Sequence, residues 1–183
     1  MSRFDRPLTG TERTFAPDEI IVSKTDRFGK ITYANEVFCR VAGYTEAELL
    51  GQPHSIVRHP EMPRCVFSLL WETIGKGREI FAYVVNRSSN GDHYWVFAHV
   101  TPTFNRAGTI TGYHSSRRVP NRQSVEAVTP IYSELRRIEQ QHTDHKVAIA
   151  ASTAALVAKL ASAGMSYDEF VFSLPTEAEG IAA

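Results

Sequence analysis

The chain has 183 residues, with Lys+Arg and Asp+Glu both at 20 and a formal net charge of zero. That length suits one compact domain with a tail, and the charge balance supplies no basic face for duplex nucleic acid, so no nucleic-acid partner is expected. The two cysteines, Cys39 and Cys65, are too few and too scattered for a disulfide framework or a zinc site, and read as reduced thiols in or near the core.

From Met1 to Pro17 the chain is polar, broken by Pro7, Gly10 and Pro17, and lacks the apolar run of a secretory signal. The expected location is therefore cytoplasmic. Ile20 to Thr25 and Ile31 to Ala34 read as two short strands joined through Asp26-Arg27-Phe28-Gly29-Lys30, a hairpin. From Asn35 the period becomes helical, with Val37, Phe38, Val41 and Ala42 on one side and Gly43 as the stop. Thr45-Glu46-Ala47-Glu48 has the spacing of a capping box and predicts a one-turn helix ending at Gly51. A proline-broken loop, Gln52 to Pro63, precedes a helix over Arg64 to Gly75, where Val66, Phe67, Leu69, Leu70 and Ile74 fall at helical spacing.

Beyond Gly77 the period shortens to two. Glu79 to Arg87 and His93 to Phe104 read as long strands around an Asn90-Gly91 turn, followed by a strand over Thr109 to Arg118. In the second of these, Trp95 and Phe97 share a face with His93 and His99, while Tyr94, Val96, Ala98 and Val100 share the other. Both faces are apolar or aromatic, which predicts cover on both sides. From Pro130 a helix is expected through Ala163, with Ile131, Leu135, Ile138, His142, His145, Ile149, Ser152 and Leu156 at alternating four- and three-residue steps. A seam so interrupted by polar groups predicts a conditional coiled coil. Val147 to Ala163 is too short and too polar to span a membrane, so no membrane insertion is expected. Ser166-Tyr167-Asp168-Glu169 is a second capping box, opening a helix through Phe172, and the remainder from Pro175 reads as a disordered tail.

This order of elements, with Asn35-Glu36-Val37-Phe38, Gly43-Tyr44-Thr45 and Glu48-Leu49-Leu50-Gly51, resembles a PAS domain. Three further stretches resemble the PAS domains of bacterial aerotaxis receptors: Gly51-Gln52-Pro53-His54, then Val57-Arg58-His59-Pro60-Glu61-Met62-Pro63, then Asn86-Arg87 with Asn90-Gly91-Asp92-His93-Tyr94-Trp95-Val96. The resemblance implies an α+β fold with a five-stranded antiparallel sheet, small helices on one face and a C-terminal signalling helix. It implies a flexible N-terminal segment or cap over 1–17, a sensor domain over 18–120, a linker and helix over 121–164, and a short helix and tail over 165–183.

For function, the resemblance implies redox or oxygen sensing through bound FAD without catalytic turnover. The signal would pass through the C-terminal helix of a homodimer to a chemoreceptor or other signalling protein. Arg58 and His59 occupy the family's cofactor positions, and a guanidinium holds phosphate oxygens in bidentate fashion. Asn86 is the candidate amide facing the flavin, and Asn35, Tyr94 and Trp95 are further candidates. The family carries a Trp near the start of the first long strand where this chain reads Ile80-Phe81-Ala82, which makes Phe81 the candidate stacking residue. A haem sensor using one of His54, His59, His93, His99 or His114 and a cofactor-free interaction module are the alternatives. The sequence contains no Ser-His-Asp order, P-loop, dinucleotide-binding glycine turn or His-Glu-x-x-His motif, so no enzyme is expected.

Overall fold

The computed structural model describes residues 7–175. The expected element order is present: β1 (Ile21–Asp26), β2 (Ile31–Ala34), α1 (Glu36–Ala42), α2 (Glu46–Leu49), a 3-10 turn (His54–Val57), α3 (Arg64–Gly75), β3 (Ile80–Arg87), β4 (His93–Phe104) and β5 (Ile110–Arg118). Three helices follow, α4 (Arg122–Gln140), α5 (His145–Ser162) and α6 (Tyr167–Ser173). By contacts the described residues form two units, 7–59 with Thr73–Val119, and Pro60–Glu72 with 120–175.

In the first unit the strands lie in the order β2-β1-β5-β4-β3, each pair antiparallel. Register assigns every side chain to a face, because directly opposed residues point the same way. Asn86 lies opposite Tyr94, Ala82 opposite Ala98, Ala98 opposite Arg117, and Arg117 opposite Ile21. This is the inner face, since the Arg117 guanidinium lies 4.6 Å over the ring of Phe38 on α1. The outer face holds Phe81 opposite His99, Tyr83 opposite Phe97, and Val85 opposite Trp95.

Local chemistry fixes the small helices. Asn35 caps α1 by accepting from the Phe38 N–H, and its side chain also ties to β1, accepting from the Val22 N–H at 2.9 Å and donating to the Ile20 carbonyl at 2.8 Å. The capping boxes at Thr45/Glu48 and Ser166/Glu169 both form. The segment over residues 7–17 straps onto the β3–β4 turn. Thr9 Oγ1 and Arg13 Nε both donate to the Asp92 carboxylate, at 2.6 Å and 2.8 Å, while the Arg13 N–H donates to the His93 carbonyl. Gly91, at φ +99°, admits this approach, because a β-carbon there would overlap the Pro7 carbonyl oxygen.

The second unit departs from the single expected helix. The helix begins at Arg122, ahead of Pro130, with Asn121 accepting from the Gln123 N–H, so Pro130 lies inside α4 rather than at its start. It then stops at Gln141, and Asp144 opens α5 by accepting from the Lys146 and Val147 N–H groups. Lys159 Nζ meets Glu134 at 2.9 Å and Ser152 Oγ meets Glu139 at 3.1 Å, pairings that run in opposite chain directions and define an antiparallel hairpin. Heptad spacing is the same for one long helix and for two that fold back on each other. The polar run Gln140-Gln141-His142-Thr143-Asp144 allows the break by supplying the cap of α5, and packing of α5 along α4 fixes its direction. His142 therefore lies in a connection and His145 at a helix start, not along a continuous seam. Among the described residues no single helix is long and apolar enough to cross a membrane. Apart from Pro175, the tail expected from that residue onward lies outside the described residues.

Candidate functional site

The inner face of the sheet carries a concentration of buried polar groups that the fold does not explain. Arg117 is 2% exposed and Tyr94 is 0% exposed. One Arg117 nitrogen, Nη2, donates to Ser23 Oγ, but among the described residues Nε and Nη1 have no hydrogen-bond partner, and neither has the Tyr94 hydroxyl. Thr25 Oγ1, further along the same face of β1, is likewise buried without a partner among them. Buried polar groups are normally satisfied, and a buried cation is normally paired with an anion. Here the local partners of the guanidinium are a hydroxyl and the face of Phe38, a cation–π contact that offsets only part of the desolvation.

Electrostatics agree with the geometry. Burial lowers the Arg117 pKa to about 10, with the Tyr94 phenol the one group opposing that shift. The Tyr94 phenol is pushed well above its usual value, first by burial. His54, from the 3-10 turn, lies 3.3 Å from Ser23 Oγ through Nε2 and stacks on Phe38 with ring centroids 5.9 Å apart. Burial and the adjacent Arg117 lower its pKa to about 3, so it is a neutral imidazole. Ser23, His54, Tyr94 and Arg117, packed around Phe38, thus form a buried polar cluster on the inner face in which donors exceed acceptors.

The residues expected from sequence divide between places. Asn86 is buried on the inner face opposite Tyr94, and Arg58 forms an isolated antiparallel bridge with Asn86 at the free edge of β3. His59 is buried beside this corner, its ring 5.8 Å from that of His93. Arg58, Asn86 and Tyr94 come together through the bridge and the strand pairing, whereas the ring contact of His59 is with His93, on the other face of the sheet. Asn35 sits apart from them as the α1 cap. Phe81 and Trp95 occupy the outer face, where Phe81 stacks on His99 with centroids 4.1 Å apart and an interplanar angle of 2°. Strand alternation forbids one pocket from using Asn86 and Tyr94 together with Phe81 and Trp95. Of the histidines considered for haem, His93, His99 and His114 belong to the outer face by the same register.

Sequence reasoning missed Ser23, His54 as a member of this cluster, and Arg117. The signal for Arg117 was present: counting by twos from Tyr113 places Ser115 and Arg117, not Arg118, on one face of β5.

Residues 31–117 match the family described as PAS fold. The chain is 42% identical over 139 residues to the aerotaxis receptor of Escherichia coli (strain K12), covering 76% of this chain and 27% of that one. It is 31% identical over 99 residues to the nitrogen fixation regulatory protein of Klebsiella pneumoniae, covering 54% of this chain and 20% of that protein. The chain therefore spans about a quarter or less of the length of these relatives. Among solved structures, a light-oxygen-voltage domain studied with a flavin analogue superimposes with a TM-score of 0.54 at 17% identity, covering 61% of this chain and 83% of that one. The dark structure of the blue-light photoreceptor Aureochrome1 LOV gives 0.52 at 23% identity, covering 65% and 86%. At those identities the likeness is one of fold.

Proposed function

The chain carries a PAS domain of the aerotaxis-receptor type, a signal-sensing module, and on that premise we propose that it senses redox state or oxygen through a bound flavin, FAD, and relays the result through its C-terminal helices to a signalling partner. The observation that carries this reading is the inner-face cluster. Donors left without acceptors at Arg117 and Tyr94, walled by Phe38 and neutral His54, suit a planar aromatic ligand with acceptor atoms along one edge. Similarity to a receptor for aerotaxis, and a fold shared with a light-oxygen-voltage domain that was studied with a flavin analogue, support a flavin as that ligand.

When bound, a flavin supplies a ring whose charge and hydrogen-bonding capacity change on reduction. The chain's residues have distinct parts. Arg58 binds phosphate oxygens at the β3 edge, with His59 packed beside it. Asn86, rigid in a strand and buried, presents an amide whose donor and acceptor ends interchange by a half-turn of the side chain. Buried apolar side chains around it, such as Val84 and Val96, keep water from competing for those bonds.

The test is the visible spectrum of the purified full chain, repeated after reconstitution with FAD. Paired flavin bands, and their loss per folded chain in Arg58→Ala and His59→Ala, are the expected outcome. A sharp Soret band indicates haem instead. A colourless chain that refuses FAD indicates an interaction module without cofactor.

A further inference from the structure

We propose that Arg117, with Ser23 and Tyr94, is the point at which the pocket receives negative charge from its ligand, so that this chain binds a reduced flavin more tightly than an oxidised one. The inference rests on the flavin reading and assigns the residue that would make the site redox-selective.

A guanidinium 2% exposed, with Nε and Nη1 unpartnered among the described residues, is a buried cation whose nearest groups are a hydroxyl and an aromatic face. Replacing such a charge by an apolar side chain of similar length is often neutral or stabilising. Packing would therefore be served as well by a methionine. What a guanidinium adds is a rigid fork of donors that stays charged at neutral pH. Ser23 takes one arm and orients the other two nitrogens. Tyr94 adds a buried hydroxyl that can donate to the same ligand edge. His54 contributes no competing charge, since it is neutral.

A ligand that gains charge against this fork is favoured in its charged form. Two-electron reduction of the flavin ring by dithionite, with one proton taken up at N5, leaves one negative charge on the N1–C2 edge. An anion facing an otherwise unpaired buried cation gains more than a neutral carbonyl in the same position, because the interior screens the pair weakly. The selectivity for the reduced form is then a property of Arg117, while the phosphate contacts at the far end of the ligand hold both forms equally.

The experiment uses the full chain as wild type, Arg117→Met and Arg117→Lys, stripped of ligand. Affinities for oxidised FAD and for FAD kept reduced anaerobically with dithionite are measured by titration, and the midpoint potential of each complex is recorded. We expect Arg117→Met to lose at least tenfold more affinity for the reduced form than for the oxidised form, equivalent to about 30 mV for a two-electron couple. Arg117→Lys should keep most of the preference, and ligand-free Arg117→Met should melt no lower than wild type. Equal losses in both redox forms, an unchanged potential, or a ligand-free Arg117→Met that melts lower or fails to fold each overturn the proposal. Wild type that binds neither form overturns the flavin reading together with this one. Wild type that binds flavin with a preference indifferent to Arg117 overturns this inference alone.

Discussion

Glu139 and Arg117 are both charged and almost wholly buried, one in each unit, and they are treated in opposite ways. Glu139 on α4 is 3% exposed and fully engaged: its carboxylate accepts from the Cys65 N–H at 3.1 Å, from Ser152 Oγ at 3.1 Å and from Arg136 Nη1 at 2.8 Å. Arg117 in the sheet is as deeply buried and retains donors unpartnered among the described residues. A satisfied buried charge behaves as a structural knot, here holding the first turn of α3 to the α4–α5 hairpin. An unsatisfied one adds nothing to the fold that an apolar residue would not, and so points to a ligand.

The contrast breaks most visibly at Glu139. Glu139→Ala should destabilise the chain by about 3 kcal/mol in chemical denaturation, because it strands the Cys65 N–H in the interior and removes the carboxylate partner of Arg136. A loss no larger than that of Arg117→Met would erase the distinction between the two charges.

His54 sharpens the sensor side. Its folded pKa is about 3 against an ordinary 6.5, so between those values the unfolded chain binds a proton that the folded chain does not. Stability from this group is full above pH 6.5 and falls as the pH drops through that window, by up to ~1.4 kcal/mol per pH unit. Comparing His54→Phe with wild type across pH 4–7 should show a shallower slope in the variant. Identical slopes would mean that the imidazole is not held neutral against Arg117.

Smaller effects belong to residues that serve only local structure. Asn35→Ala removes the α1 cap and the tie to β1, and should cost about 1–2 kcal/mol without altering any ligand spectrum. A changed spectrum would return Asn35 to the pocket. Thr45→Ala deletes one half of a surface capping box and should cost about 1 kcal/mol or less, read as a shift in melting temperature.

The sequence determined what depends on neighbours along the chain. Period-two and helical spacing placed the strands and small helices, Thr45/Glu48 and Ser166/Glu169 announced their caps, and Asn90-Gly91 its hairpin. Motif order identified the family. Register across strands, which no single strand encodes, was left to the tertiary structure, and it put Phe81 and Trp95 on the face opposite Asn86 and Tyr94. Tertiary packing also folded α5 back on α4, because a polar run with a capping aspartate permits either path and only burial against a neighbouring helix selects one. It placed Arg117 over Phe38 with donors to spare, which strand alternation narrows to one face but only the packed chain reveals as unpaired.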